Sequence, residues 1–136
     1  MLPLGNKPLL EHIIDWIKES RKIDHIILCV SYMHRMIEDY FEDGSRFGIK
    51  IQYSKTVKPM GTAGQLKAAE ELIQEDGGGN TSFVCLYSDH IYYFSLDKMI
   101  SRHTKCGAFI TMALLRYKTK LKYGFNDINE KEDIPE

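Results

Sequence analysis

Ile26-Ile27-Leu28-Cys29-Val30-Ser31-Tyr32, IILCVSY, is a continuous apolar run whose β-branched content reads as a strand buried on both faces. The period then changes. Met33, Met36, Ile37, Tyr40 and Phe41 recur at helical spacing, and Asp43-Gly44 supplies the stop. Ile49–Ser54 (IKIQYS) alternates, as a strand with one wetter side does. Upstream, Leu10, Ile13, Ile14 and Ile17 mark a helix whose first turn tolerates Pro8. Downstream, Leu66, Ala69, Leu72 and Ile73 predict a third helix, released by the short flexible linker Gly77-Gly78-Gly79-Asn80. Phe83–Tyr87 reads as another buried strand, Leu96, Met99, Ile100 and His103 as a fourth helix, and Phe109–Leu115 as a strand. A short strand is expected at Tyr123–Ile128 in the charged tail. Strands alternating with helices predict an α/β fold with a mainly parallel sheet. The alternation opens on a helix, whereas a β-α-β unit opens on a strand, so Met1–Gly5 reads as the end of a loop.

The chain has 136 residues, the size of one domain with a real core. Its 43% hydrophobic and 27% charged residues are ordinary for a globular domain. A net charge of −1 and a pI near 6.5 give no electrostatic reason to expect nucleic acid or an anionic membrane as partner. Cys29, Cys85 and Cys106 are odd in number and form no C-x-x-C, so they read as buried thiols of a reducing compartment. With no signal-peptide pattern and no apolar run long enough to span a bilayer, the cytoplasm is the expected location.

Two places carry chemical potential. The first is Pro59–Gln65, PMGTAGQ, at a strand-to-helix corner. Thr62 and Gln65 have capping-box spacing, which needs no ligand. Equally, Gly61 and Gly64 let backbone approach a flat base or an anion at the carboxyl edge of a parallel sheet, where α/β proteins bind ligands. It is no Walker loop, because no Gly-Lys-Ser/Thr follows. The second is Tyr87-Ser88-Asp89-His90, where Asp89 follows a strand and either offers a hard oxygen to Mg²⁺ or bonds its own turn. Weaker features have structural readings. Lys7 is expected to be a solvated helix-start lysine, His103 a hydrogen-bonded, partly buried residue, and Asp39, Glu42 and Asp43 a solvated helix end. Tyr123-Gly124 offers either a backbone N–H to a sugar hydroxyl or a plain strand edge.

LPLGNKPLLEHIIDWI, IILCVSYMHRMIEDYFEDGSRFGIKIQYS, PMGTAGQLKAA, FVCLYSDH and YGF, in that order, resemble the sugar-1-phosphate nucleotidyltransferases, which include mannose-1-phosphate guanylyltransferase. The resemblance implies a three-layer α/β/α domain with a Rossmann-like sheet that joins an NTP to a sugar 1-phosphate and releases pyrophosphate with Mg²⁺. It implies that Gly61, Thr62, Ala63 and Gly64 lie against the nucleotide, that Asp89 holds the metal, and that Tyr123 and Gly124 meet the sugar. The GTAG form resembles the guanylyl branch and points to GTP and mannose 1-phosphate as partners.

There are departures from the family pattern. The family's G-G-x-G-T-R signature and following lysine fall ahead of Met1, and its Glu-Lys-Pro sugar site and second metal aspartate fall beyond Glu136. Glu130-Lys131-Glu132 comes too early for that sugar site. Lys55 stands where an acid is usual, and Ser88 where a glycine is usual. Residues 1–136 are therefore expected to form a single partial nucleotidyltransferase domain with no catalytic residue of its own and no transfer by itself. A sheet without its first strand is expected to expose an edge open to self-association. The alternative function is a non-catalytic nucleotide-sugar-binding or regulatory and assembly module of the same fold.

Overall fold

The computed structural model describes residues 1–77 and 82–116. Two short strands, β1 (Pro3–Leu4) and β2 (Lys7–Pro8), pair antiparallel around Gly5-Asn6. Gly5 takes φ 65°, the left-handed value that a two-residue hairpin asks of its first turn position. The opening segment is thus a hairpin, where the sequence reading had the end of a loop. It leads straight into α1 (Leu9–Lys18), with Pro8 at the N-cap in extended conformation. Leu9, Ile13, Ile14 and Ile17 all face inward from α1, and Ile14 is fully buried.

β3 (His25–Val30) and β4 (Lys50–Lys55) pair in parallel, with Ile26 opposite Ile51 and Leu28 opposite Tyr53. Between them run α2 (His34–Phe41) and a 3₁₀ turn at Ser45–Phe47, so the crossover that the sequence predicts is present. Phe41, 1% exposed, joins Ile49 and Ile51 to the inward face of α1 to make the core. Gly44, at φ 85°, is required there: a Cβ would stand 2.0 Å from the carbonyl oxygen of Ile49. Asp43, read as part of a solvated helix end, accepts from Ser45 N–H and builds the turn.

The predicted third helix divides into α3 (Gly61–Ala68) and α4 (Glu70–Gly77). At the break, the Ala69 N–H is shared between the carbonyls of Gln65 and Leu66. α5 (Leu96–Cys106) starts at Ser95, whose hydroxyl accepts from Lys98 N–H, and ends on Gly107 in the left-handed region. Buried Ser20, just past α1, donates to Asp97 at 2.5 Å and ties the two helices together.

Several expectations are corrected. Phe83–Tyr87 and Phe109–Leu115 form no strand, and the described sheets have two strands each. Apolar content asks for burial, but a strand exists only by laddering with a neighbour, and neither run has one among the described residues. Phe109 is 97% exposed and Leu115 87%. For the same reason β3 is half-covered instead of buried on both faces, and Cys29 and Cys85 are exposed instead of buried; Cys106, at the end of α5, is exposed as well. The described architecture is mixed helix and strand, an α/β arrangement with one parallel pair. Tyr123, Gly124, the strand expected at 123–128 and most of the glycine linker lie outside the described residues.

Candidate functional site

The carboxyl ends of β3 and β4 meet the start of α3. β3 ends at Val30 and β4 at Lys55, and the N–H of Thr56 donates to the Val30 carbonyl at 3.0 Å. Gln65 Nε2 donates to Thr56 Oγ1 at 3.0 Å, binding α3 to both strand ends. PMGTAGQ therefore sits at the edge predicted for it.

Its internal geometry differs from the capping-box reading. Met60 occupies the N-cap, no side chain caps the helix, and Gln65 is spent on Thr56. Gly61 takes φ 67°, and the space where its Cβ would stand is open. Gly61, Thr62 and Ala63 are exposed, and at Gly61 the helix start presents backbone without a side chain. Gly64 serves packing instead: a Cβ there would come within 2.6 Å of the Met60 Cβ. An exposed, side-chain-poor helix start can accept a flat ring or an anion at its free N–H groups.

Beside this corner, Lys55 Nζ lies 3.4 Å from Glu38 Oε2, and His34 Nδ1 lies 2.8 Å from Glu38 Oε1. The His34 hydrogen bond, then Lys55, hold the Glu38 carboxyl below the usual carboxylate range. Lys55, where the resemblance expects an acid, is thus paired within the fold. Lys7 likewise is no solvated lysine: it pairs with Asp15 and lies 3.8 Å from Glu11, and the Asp15 bond raises its pKa.

Asp89 occupies a turn with Ser88, following a segment that forms no strand. Its side chain is 77% exposed and its Oδ1 lies 2.6 Å from His90 Nδ1. Magnesium asks a protein for one or two carboxylates and takes its other ligands from phosphates and water. An exposed carboxylate in a turn fits that partial role, with His90 as a competitor for one oxygen. Among the described residues no group of three or more His, Cys, Asp or Glu converges on a metal position. No hydrogen bond or ion pair among them joins the Asp89 turn to the GTAG helix. Sequence reading missed the aromatic framework under this turn: Tyr92 stacks on Trp16 at 4.9 Å, and Trp16 Nε1 donates to the Phe94 carbonyl. The alternation of Tyr92 and Phe94 is the signal that points there.

His103 matches its expected role, bonded to Ser82 Oγ at 3.1 Å and Thr111 Oγ1 at 3.0 Å. An open concavity of about 540 Å³, lined by Asp24, Asp43, Ser45 and Lys50, lies at the amino ends of β3 and β4. It is at the opposite end of the strands from PMGTAGQ, so concavity and candidate chemistry do not coincide. The PMGTAGQ corner is the better candidate, because carboxyl ends of parallel strands are where such folds bind ligands. No helix among the described residues is long and apolar enough to cross a bilayer.

Three relatives illustrate the similarity to known proteins. The chain is 38% identical over 125 residues to D-glycero-alpha-D-manno-heptose 1-phosphate guanylyltransferase of Aneurinibacillus thermoaerophilus, covering 91% of this chain and 51% of that protein. It is 32% identical over 132 residues to the protein of the same name from Campylobacter jejuni, covering 97% and 54%. It is 36% identical over 120 residues to mannose-1-phosphate guanylyltransferase catalytic subunit beta of Xenopus tropicalis, covering 88% and 32%. The chain thus spans between about a third and about half the length of these relatives. The profile of the family described as nucleotidyl transferase matches residues 1–136. The chain belongs to the nucleotidyl transferase family, among the sugar-1-phosphate nucleotidyltransferases.

Proposed function

We propose that this chain is part of an enzyme that transfers a guanylyl group from GTP to a manno-configured sugar 1-phosphate in nucleotide-sugar biosynthesis. The observation that carries this reading is the agreement of relatives from two bacteria and a vertebrate. All three are named guanylyltransferases, and both named sugars, mannose and the manno-heptose, share the manno configuration. Mannose 1-phosphate and the heptose 1-phosphate are both candidate acceptors.

In the proposed reaction a phosphate oxygen of the sugar 1-phosphate attacks the α-phosphorus of GTP. A new P–O bond forms as the bond from that phosphorus to the bridging oxygen breaks, and pyrophosphate leaves. Such chemistry needs alignment and charge neutralisation more than covalent help. Gly61 would give the base a wall without a Cβ, with Thr62, Ala63 and Gly64 beside it, a role supported by the open space at Gly61 and its φ of 67°. Asp89 would hold Mg²⁺, which neutralises phosphate charge when bound. Tyr123 and Gly124 would meet the sugar. The parallel β3–β4 pair with its helical crossover is the unit from which a three-layer, Rossmann-like sheet is built, and that sheet is the proposed scaffold. A cytoplasmic setting, where NTPs and sugar phosphates occur together, and self-association through exposed apolar surface complete the reading.

A thermal-shift panel with GTP, dTTP, UTP and GDP-mannose, each with and without Mg²⁺, tests it. A ligand at one hundred times its dissociation constant adds about 2.7 kcal/mol to the folded state. The expected result is a shift selective for guanine nucleotides. Equal shifts for all three triphosphates, or none from a cooperatively melting protein, contradict the reading.

A further inference from the structure

We propose that Tyr92 is a positioning residue that closes the Asp89 turn with its hydroxyl and so presets the carboxylate for a phosphate-bound divalent cation. The role rests on the reading of Asp89 as a Mg²⁺ ligand.

Beyond its own local turn and the Asp89–His90 pair, the Asp89 segment has little to hold it to the fold. Residues 83–94 make no backbone-to-backbone hydrogen bond with other described residues. One side chain supplies what the backbone lacks. The Tyr92 hydroxyl accepts from Tyr87 N–H at 2.8 Å and donates to the Tyr87 carbonyl at 2.9 Å. A phenol has one proton to give and lone pairs to accept, so a single group satisfies both polar atoms of Tyr87. These bonds join the residue two before Asp89 to the residue three after it, closing a loop with Asp89 inside.

The clasp is anchored. The Tyr92 ring stacks on Trp16 of α1, 4.9 Å between centroids and 20° between planes. Phe94 meets Trp16 edge-on at 5.2 Å, and the Trp16 indole donates to the Phe94 carbonyl at 3.2 Å. α1 is the best-buried helix among the described residues, so the turn inherits its position from the core. Burial pushes the Tyr92 hydroxyl pKa up. Neighbouring Tyr93 is almost fully exposed and offers a matched control.

An exposed carboxylate on an unclasped turn samples many directions, and a cation must then order it on binding. A preset carboxylate avoids that cost.

The test uses Mn²⁺ with GTP as probe, counting free Mn²⁺ by electron paramagnetic resonance, on the whole chain and on Asp89→Asn, Tyr92→Phe and Tyr93→Phe. Tyr92→Phe keeps the stack and removes only the hydroxyl, so Trp16 emission should stay unchanged. Mn²⁺ affinity is expected to fall about fivefold to tenfold in Tyr92→Phe, to be lost in Asp89→Asn, and to be unchanged in Tyr93→Phe. Hydrogen exchange at the Tyr87 amide should quicken in Tyr92→Phe alone. Wild-type Mn²⁺ affinity in Tyr92→Phe, with loss in Asp89→Asn, overturns the positioning role and leaves the metal reading standing. Unchanged affinity in Asp89→Asn, or no Mn²⁺ uptake by the wild type, overturns the metal reading and the proposal with it. An unaltered Tyr87 amide overturns the clasp whatever the metal does.

Discussion

Gln65 of α3 donates to Thr56 Oγ1 at 3.0 Å, and Thr56 in turn donates its N–H to Val30 at the end of β3. This two-step tether, in place of a capping box, aims the GTAG helix at the carboxyl edge. The other end of the amide pays less well: Gln65 Oε1 is buried with no partner among the described residues.

Removing the tether should loosen the corner. Gln65→Ala is expected to cost about 1 kcal/mol, the net worth of a neutral hydrogen bond. Gln65→Met, which keeps the length and discards the unsatisfied acceptor, should cost less. Thr56→Val combined with Gln65→Ala should be less damaging than the sum of the two, with a coupling of about 0.5 kcal/mol or more. Urea unfolding of the wild type, the three single variants and the double variant measures this. Strict additivity would show that the bond contributes nothing.

Gly61 permits a sharper separation of fold from ligand. Any side chain at φ 67° pays a left-handed penalty of roughly 1–2 kcal/mol, whatever its length. Gly61→Ala and Gly61→Arg should therefore melt at similarly lowered temperatures, because the space at the Cβ is open. A guanine-nucleotide shift should survive in Gly61→Ala and vanish in Gly61→Arg. If arginine leaves the shift intact, the helix start is not the wall of the pocket.

How far the sequence carried this reading differs by segment. α1, α2 and α5 follow from apolar spacing, though only α1 buries most of its stripe: Phe41 is the buried residue of α2 and Leu96 that of α5, while Met33 and Met36 stay exposed. The β3–α2–β4 unit was legible because its two strands supply each other's hydrogen bonds. Phe83–Tyr87 and Phe109–Leu115 have equally strong apolar content and form no strand, because a ladder partner is a property of the whole sheet, invisible in a local pattern. At the site, the glycines and Asp89 were legible as residue types. The Gln65–Thr56 tether and the Tyr92 clasp were not, since both depend on side chains brought together by the fold.

Glu38 links this edge to pH. Its carboxyl is held below the usual range in the folded chain, chiefly by His34 and then by Lys55. A depressed carboxylate stabilises the fold above its unfolded pKa, and that contribution is lost as pH falls through the lower, folded value. Stability should therefore decline below about pH 4.5, where an unpaired glutamate begins to take up a proton. Glu38→Gln should flatten part of that decline while lowering stability at pH 7. Asp43, depressed by its bond from Ser45 N–H, should add a similar step of its own. Denaturant midpoints from pH 7 down to pH 3 check both. An identical slope in Glu38→Gln and wild type would remove Glu38 from the account.

The apolar run Phe109–Leu115 makes the last prediction. Phe109, Ile110, Met112, Leu114 and Leu115 are all strongly exposed, so none contributes appreciably to the described core. Replacing Phe109 and Leu115 with lysine should therefore leave the melting temperature within about a degree or two of wild type, as expected for surface positions worth less than roughly 0.5 kcal/mol. Exposed apolar surface of this kind drives association, so the wild-type chain should show concentration-dependent growth in light scattering that the double variant lacks. The two readouts separate the cases. A fall of many degrees in the melting temperature would mean that these side chains are buried in the protein in solution, within one chain or between two. Unchanged melting with reduced scattering would identify the run as the surface through which copies of the chain meet.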